Sequence, residues 1–363
     1  MKVGIVGAGI AGLATAVAFA RLGAEVVIYE RPGAVPAGAG ISLFRNGLRA
    51  LDELGLAAAV RALGSPPAVP AGLRTPTGRW LVRRPAAGGD LTVVHRVDLH
   101  GILAAAAPAV QFCTAAQVRG TRDEATVVLD SGASQAFDLV VGADGIASRI
   151  RRSWPDDPGI RYAGYTAWRG VTDGPVDVPA VGETWGRGER FGITAMSDGR
   201  VYWYAVASLP MGWPVPDEKA ELLRRFGAWH DPIPALVRAT ADHAILRNDI
   251  IELAAPLPRF ARSRVVLTGD AAHAMTPDLG QGGNQALEDA VTLGALIGRH
   301  HNVDAALDLY DAMRRKRTTA IARRSRQVGR VAQAHSPIAV GLRNSILRLL
   351  PAGSSTRAAA RPH

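Results

Sequence analysis

Apolar and polar positions alternate between two regimes along this chain. Val3 to Val6 is an uninterrupted apolar run of strand length; after a glycine-rich turn, apolar positions continue at helical spacing through Arg21, where Gly23 ends the helix, and VVIYE (26 to 30) makes a second strand. The same succession of apolar run, glycines and helical pattern returns at FDLVVGADGIASRIRR (137 to 152) and again at RVVLTGD (264 to 270). Strands alternating with helices predict an α/β fold with a Rossmann-like, parallel-sheet nucleotide domain.

Between Arg161 and Leu253 the pattern becomes strand-rich, in YTAWRGV, GETWGRGERFGIT and, after the Asp198-Gly199 turn, RVYWYAVAS. Alternation puts Val201, Trp203 and Ala205 on one face and Tyr202, Tyr204 and Val206 on the other, so one face is available to roof a cavity. GLRTPTGRWLVRRP (72 to 85) predicts a hairpin around Thr75 to Gly78 that joins the same sheet. A helix is expected from about Asp217 to Trp229, another from Asp304 to about His335, and a last one over 338 to 350 after Pro337. The expected division is a nucleotide domain with C-terminal helices over 1–71, 86–160 and 254–350, an interleaved, mostly antiparallel β-sheet substrate domain over 72–85 and 161–253, and a flexible tail over 351–363.

Composition narrows the partners. The formal charge is +10, yet residues 299 to 363 hold thirteen Arg or Lys against three Asp, which accounts for the whole excess. Charge runs of this kind are ordinarily solvated helix faces, so no nucleic-acid partner is expected. Cys113 is the only cysteine, which leaves no disulfide framework, Cys-based metal site or iron-sulfur cluster and fits a reducing cytoplasm; no metal is expected. The opening twenty residues have the profile of a signal peptide, but their glycine spacing argues for a nucleotide loop instead. No other segment has the roughly 18 apolar residues of a membrane span. Ile346, Leu347, Leu349 and Leu350, with Arg343 and Arg348, read as a packed helical stripe, the alternative being attachment to a membrane surface.

Gly7-Ala8-Gly9-Ile10-Ala11-Gly12 is GxGxxG between a strand and a helix. One glycine turns the chain, the next admits a pyrophosphate, and the third lets helix and strand pack, while the helix N-terminus attracts the anion. Glu30, at the end of the second strand, stands where an acid bonds ribose hydroxyls, and Arg31 beside it is either an adenosine contact or a surface arginine. Gly142-Ala143-Asp144-Gly145 ends the strand before Ser148 and Arg151, and Gly269-Asp270 ends another, so both supply an acid at a dinucleotide crevice.

Together, GxGxxG with Glu30, GADGxxSxxR and GDAAH...PxxGQGxN resemble the class A flavoprotein monooxygenases, the FAD-dependent hydroxylases of the para-hydroxybenzoate hydroxylase type, over nearly the whole chain. The resemblance implies a fold of the glutathione-reductase type, with noncovalent FAD and with NADPH or NADH as a transient co-substrate. It also implies that Asp270 binds the ribityl chain and that Pro277, Gly280, Gln281, Gly282, Gly283 and Asn284 pass along the pyrimidine edge of the flavin. Arg96 in HRVDLHGIL, Ser42 in GAGISL and Val118 carry over as further cofactor contacts. Where many relatives have proline before the asparagine, this chain has Arg45-Asn46, so Arg45 either binds an acidic substrate or points to solvent.

HExxH, GxSxG and the P-loop are absent, and His273 has no partner at metal-ligand spacing, so the cofactor must carry the reaction. The cycle implied by the resemblance consumes NAD(P)H and O2, passes through a flavin C4a-hydroperoxide and hydroxylates a small hydrophobic or aromatic substrate. Epoxidation and oxidative decarboxylation on the same scaffold are the alternatives. Arg45, Arg200 and Trp203, with Trp168, are the candidates for the substrate pocket. The oligomeric state is not legible.

Overall fold

The computed structural model describes residues 1–33, 40–64, 68–86 and 91–349. The expectation of a flexible tail over 351–363 lies outside the described residues. The chain divides into two units, the first made of Met1–Ala62, Val94–Ala163 and Ile251–Arg326, the second of Leu63–Val93, Gly164–Ile250 and the residues from Gln327 on.

In the first unit, Lys2–Val6 lies between Glu25–Tyr29 and Leu139–Gly142, parallel to both. Gln111–Cys113 extends this sheet in parallel at one edge and Val265–Leu267 at the other, and Ala261–Arg262 closes it antiparallel. Val3, Ile5, Val26, Ile28, Val140, Val141 and Val266 are buried, the near-continuous apolar runs expected of strands covered on both faces. The helices Ile10–Ala20 and Gly282–Arg299 pack closely because small residues meet: a Cβ on Gly294 would lie 3.0 Å from Cβ of Ala18. Val118–Arg122, Thr126–Leu129 and Ser134–Ala136 form a small antiparallel sheet.

In the second unit the sheet runs, in spatial order, Leu246–Leu253, Ile160–Val171, Val201–Ala207, Glu189–Ala195, Val181–Trp185, Ala71–Arg74 and Trp80–Arg84. Ala71–Arg74 pairs in parallel with Val181–Trp185 and antiparallel with Trp80–Arg84. The helices Glu218–Phe226 and Ile233–Arg238 bury Leu222, Phe226, Ile233 and Leu236 in one core with Trp168, Phe191, Ile193, Val201 and Trp203. Strand alternation leaves Tyr165, Glu183, Trp185, Arg190, Tyr202 and Tyr204 for the other face.

Two expectations about the C-terminal segment need correction. Residues from Gln327 on group with the second unit: Gln333 Nε2 donates to the Gly188 carbonyl at 3.2 Å and to Ser208 Oγ at 3.1 Å, and Arg343 Nη2 donates to the Gly186 carbonyl at 3.0 Å. The apolar stripe of the last helix, Pro337–Leu349, is not packed as a unit, since Ile346 and Leu349 are exposed. The buried residue is Arg343, its guanidinium 5.4 Å from the ring centre of Trp185, and anchoring through that face turns the apolar one outward.

Candidate functional site

The three glycines of the first loop take three different roles. Gly7, at φ +103°, turns the chain so close to the neighbouring strand end that a Cβ would collide with the Ala143 carbonyl, and a Cβ on Gly12 would collide with the Gly7 carbonyl. Among the described residues a Cβ on Gly9 would meet nothing within 4 Å, so on that side the N-terminus of Ile10–Ala20 is open. Ala11 lies against the Gly269-Asp270 motif, where a Cβ on Gly269 would come within 2.8 Å of the Ala11 Cβ.

Glu30 braces this loop. Its Oε2 accepts the Ala8 amide at 2.5 Å and its Oε1 the Arg31 amide at 2.9 Å, while the Arg31 side chain is exposed. His100 Nε2 lies 2.8 Å from the Ala8 carbonyl, a support that sequence reading missed because His100 comes 92 positions later in the chain. Arg96 opens that helix and is exposed; Val118 is buried, and its carbonyl accepts Arg149 Nη1 at 3.3 Å.

Asp144 accepts the amides of Arg149 (2.7 Å) and Ile150 (3.3 Å) through Oδ2, while Oδ1 is buried and has no hydrogen-bond partner among the described residues. Burial raises its pKa above the ordinary carboxylate value, against the pull of Ser148 and these amides. The N-cap of the short helix Arg149–Arg152 is Ser148, which accepts the Arg151 amide. Arg151 is buried and joins the two acid-bearing motifs: Nε donates to Asp157 Oδ1 at 2.9 Å, Nη2 to the Ile146 carbonyl at 2.7 Å and Nη1 to the Ala271 carbonyl at 3.2 Å.

Asp270 begins the helix Asp270–His273 and is exposed. Among the described residues, and apart from its own helix and chain neighbours, a Cβ built on Gly282 meets only Asp270 Oδ1 within 4 Å, so the acid and the glycine border one open space. Pro277 starts a 3-10 turn that ends at Gly280, whose φ of +63° needs glycine. The following helix runs Gly282–Arg299, so its first free amides belong to Gly282, Gly283 and Asn284. Gly283 has a different role from Gly282, since a Cβ there would meet Ile41 Cδ1 at 2.7 Å.

Asn284 is a strut. Its Oδ1 accepts the Phe44 amide, and its Nδ2 donates to the carbonyls of Ser42 and Gly280, all at 2.9 Å. Ser42 is thereby held through its backbone, and Gln281 Oε1 accepts from Asn46 at 3.0 Å. Arg45 itself is exposed. Behind the loop lies a buried charge network that no local pattern announces: Asp289 Oδ2 accepts Gly269 N at 2.8 Å and pairs with His273 Nε2 at 2.6 Å, and its Oδ1 accepts Arg314 Nε at 2.7 Å. Glu288 binds Asn46, Arg314 and Arg317. Burial alone would raise Asp289, but His273 and Arg314 hold its pKa down at about 2.

The pocket candidates of the second unit divide by strand face. Trp203 and Trp168 are core residues, a correction: Trp203 stacks on Phe191 at 5.4 Å and donates Nε1–H to Thr240 Oγ1 at 2.8 Å, because its face receives the two helices. Arg200 is tied to its own turn by Asp198 Oδ2 at 2.7 Å. The opposite face gathers polar and aromatic groups. Glu183 accepts the Tyr204 hydroxyl and the Trp185 indole N–H and lies 3.9 Å from Arg190 Nη1, whose guanidinium sits 5.6 Å from the ring centre of Tyr165. Burial, then Glu183, pushes the Tyr204 pKa well above that of a free phenol, so the hydroxyl stays a donor. Gly192 makes room for this, since a Cβ there would overlap the Tyr204 ring.

Residues 1–325 match the family described as FAD binding domain. The chain is 38% identical to aurachin C monooxygenase/isomerase of Stigmatella aurantiaca, over 98% of this chain and 95% of that one. It is 35% identical to 2-heptyl-3-hydroxy-4(1H)-quinolone synthase of Pseudomonas aeruginosa, over 98% and 96%. The crystal structure of Klebsiella pneumoniae HpxO complexed with FAD and uric acid is similar with a TM-score of 0.88 and 29% identity, covering 99% of this chain and 95% of that one. Among the described residues no helix is long and apolar enough to cross a membrane.

Proposed function

Because the chain belongs to the FAD binding domain family and is an FAD-dependent monooxygenase, we propose that it hydroxylates a 2-alkylated 4-quinolone or a close heteroaromatic relative, with NAD(P)H and dioxygen as co-substrates. A relative with full-length similarity carries quinolone chemistry in its name, and a second is named a monooxygenase, which supports the substrate class. The observation that carries the reading is the polar aromatic face of Tyr165, Glu183, Arg190, Tyr202 and Tyr204. A 4-quinolone presents a flat ring with one N–H donor and one carbonyl acceptor; this face offers a carboxylate and a guanidinium between aromatic rings.

The side chains of the first unit fit FAD. The open space at Gly9 and the free amides of the first helical turn suit a pyrophosphate, and the lone pairs of Glu30 not taken by Ala8 and Arg31 suit ribose hydroxyls. Asp270 beside Gly282 suits the ribityl hydroxyls, Arg96 and the carbonyl of Val118 the adenosine half, and the loop from Pro277 to Asn284 the ring edge. FAD, when bound, supplies the redox chemistry that takes reducing equivalents from NAD(P)H and delivers one atom of dioxygen. The chain's own part is to hold it at both ends, to keep the Gly282–Arg299 N-terminus directed at the ring edge, and to orient the substrate away from water.

The test is product analysis with the FAD-loaded enzyme, NAD(P)H and a panel of a 2-alkyl-4(1H)-quinolone, urate and simple phenols. The expected result is a quinolone with one added oxygen, formed in step with NAD(P)H consumption. Oxygenation of urate or phenols with the quinolone untouched overturns the substrate assignment.

A further inference from the structure

The last helix is fastened by one face and bare on the other. In Pro337–Leu349, Ile338 is 84% exposed, Leu342 62%, Ile346 51% and Leu349 83%. Steps of four, four and three residues bring these side chains onto a single face. The far side carries Arg343, which is buried, stacked on Trp185 and bonded to the carbonyls of Gly186 and Ala332. Thirteen residues span about 20 Å of helix, too short to cross a bilayer.

Charge identifies what this face meets. From Gln327 to the end the sequence has five arginines and neither Asp nor Glu, and Arg330 and Arg348 are exposed. We propose that the bare face rests on an anionic lipid surface, with the helix parallel to the bilayer, its apolar side chains at the acyl boundary and the arginines among the phosphates. A second copy of this chain fits less well, because an isologous contact through the helix would press two copies of the same basic segment together.

Co-sedimentation of the FAD-loaded, full-length enzyme with vesicles tests the proposal. Binding to phosphatidylcholine vesicles containing phosphatidylglycerol is expected to exceed binding to pure phosphatidylcholine about tenfold or more, and to weaken as salt is raised. The double substitution Leu342→Gln and Ile346→Gln leaves net charge unchanged and is expected to lower that binding about tenfold, with flavin content and turnover of a water-soluble substrate unaltered. Absence of binding by the wild type, or equal binding by the double variant, overturns the proposal. So does a dimer seen by sedimentation velocity in the wild type and lost in the variant, which would mean that a second copy covers the face.

Discussion

Asp289 holds Gly269 from behind: Oδ2 lies 2.8 Å from the Gly269 amide nitrogen across twenty positions of sequence. Gly269 has φ 58° and ψ −142°, a conformation open to glycine, and its successor is Asp270, the acid that lies beside Gly282. The carboxylate that fixes this turn is itself fixed by Arg314, which also binds Glu288 at 2.7 Å. Arg314→Met is therefore expected to leave two buried carboxylates short of their cation and to cost about 3–5 kcal/mol of stability. Urea unfolding with parallel measurement of flavin content checks this. Unchanged stability and full flavin would show that the network is ornamental to the turn.

Asp289 also sets a pH dependence. Its ordinary value of 3.8 falls to about 2 in the folded protein, despite burial, through His273 and Arg314. A carboxyl depressed on folding stabilises above its unfolded value, and that contribution disappears as pH falls from about 4 toward 2. The expected loss is about 2 kcal/mol for this one group. Unfolding midpoints of wild type and Asp289→Asn across that window should converge at the acid end; parallel curves would refute the linkage.

The nucleotide half was readable almost to the residue. Lys2–Val6, Ile10–Ala20 and Glu25–Tyr29 fall within one residue of the expected strand, helix and strand, because the hydrophobic period changes sharply there and glycines mark each boundary. Alternation also separated the two faces around Trp203 correctly, but period alone does not say which face receives helices. That was decided by Leu222, Phe226, Ile233 and Leu236, which come later in the chain and cover the Trp203 side. Arg343 misled for a related reason. An arginine in an amphipathic helix reads as its wet face, whereas here cation–π contact and three carbonyl bonds make it the buried anchor. Asn284 was read as a flavin neighbour, and the role its side chain takes within the protein, holding Ser42, Phe44 and Gly280, was not legible because those partners are either far off in sequence or backbone carbonyls.

Asp270 and Gly282 border the same open space, so their variants should lose flavin without losing the fold. Asp270→Ala is expected to weaken FAD binding by about 1.5–3 kcal/mol, the range for hydrogen bonds to a charged group. Gly282→Val adds a side chain whose Cβ, among the described residues beyond its own helix, has Asp270 Oδ1 at 3.8 Å as its neighbour, so it should fold and purify colourless. Gly283→Val, by contrast, drives into Ile41 and should lower stability as well. Titration of apoprotein with FAD, followed by flavin fluorescence, distinguishes these outcomes. Normal flavin affinity in Gly282→Val would place the ring edge elsewhere.

Gly192 exists to let Tyr204 lie across its strand. Gly192→Ala would overlap the ring, and Tyr204 is expected to give way, breaking its hydroxyl bond to Glu183. The damage should fall on the substrate: a rise in KM of about tenfold, equivalent to ~1.4 kcal/mol, with FAD binding intact. Steady-state kinetics on the oxygenated substrate and a flavin spectrum provide the check, and a selective loss of flavin would contradict it.

Glu183 is the sharpest test of the proposed substrate face, because it is the one acid receiving both the Tyr204 hydroxyl and the Trp185 indole while facing Arg190. Glutamine in its place keeps the size but offers one acceptor oxygen and an NH2 group that only donates, so either the phenol or the indole meets a donor, and Arg190 loses that carboxylate. If the pair of Glu183 and Arg190 orients the substrate ring, Glu183→Gln should raise KM by about tenfold or more with FAD retention unchanged. A purely structural role would instead lower stability and turnover together. A second readout separates the two further: the negative charge of Glu183 helps to hold the Tyr204 phenol protonated, so in the variant the tyrosinate should form at lower pH than in the wild type. Ultraviolet titration of the two proteins, with Tyr204→Phe to identify the signal, measures that shift. An unchanged KM together with an unchanged tyrosine titration would remove Glu183 from the substrate face.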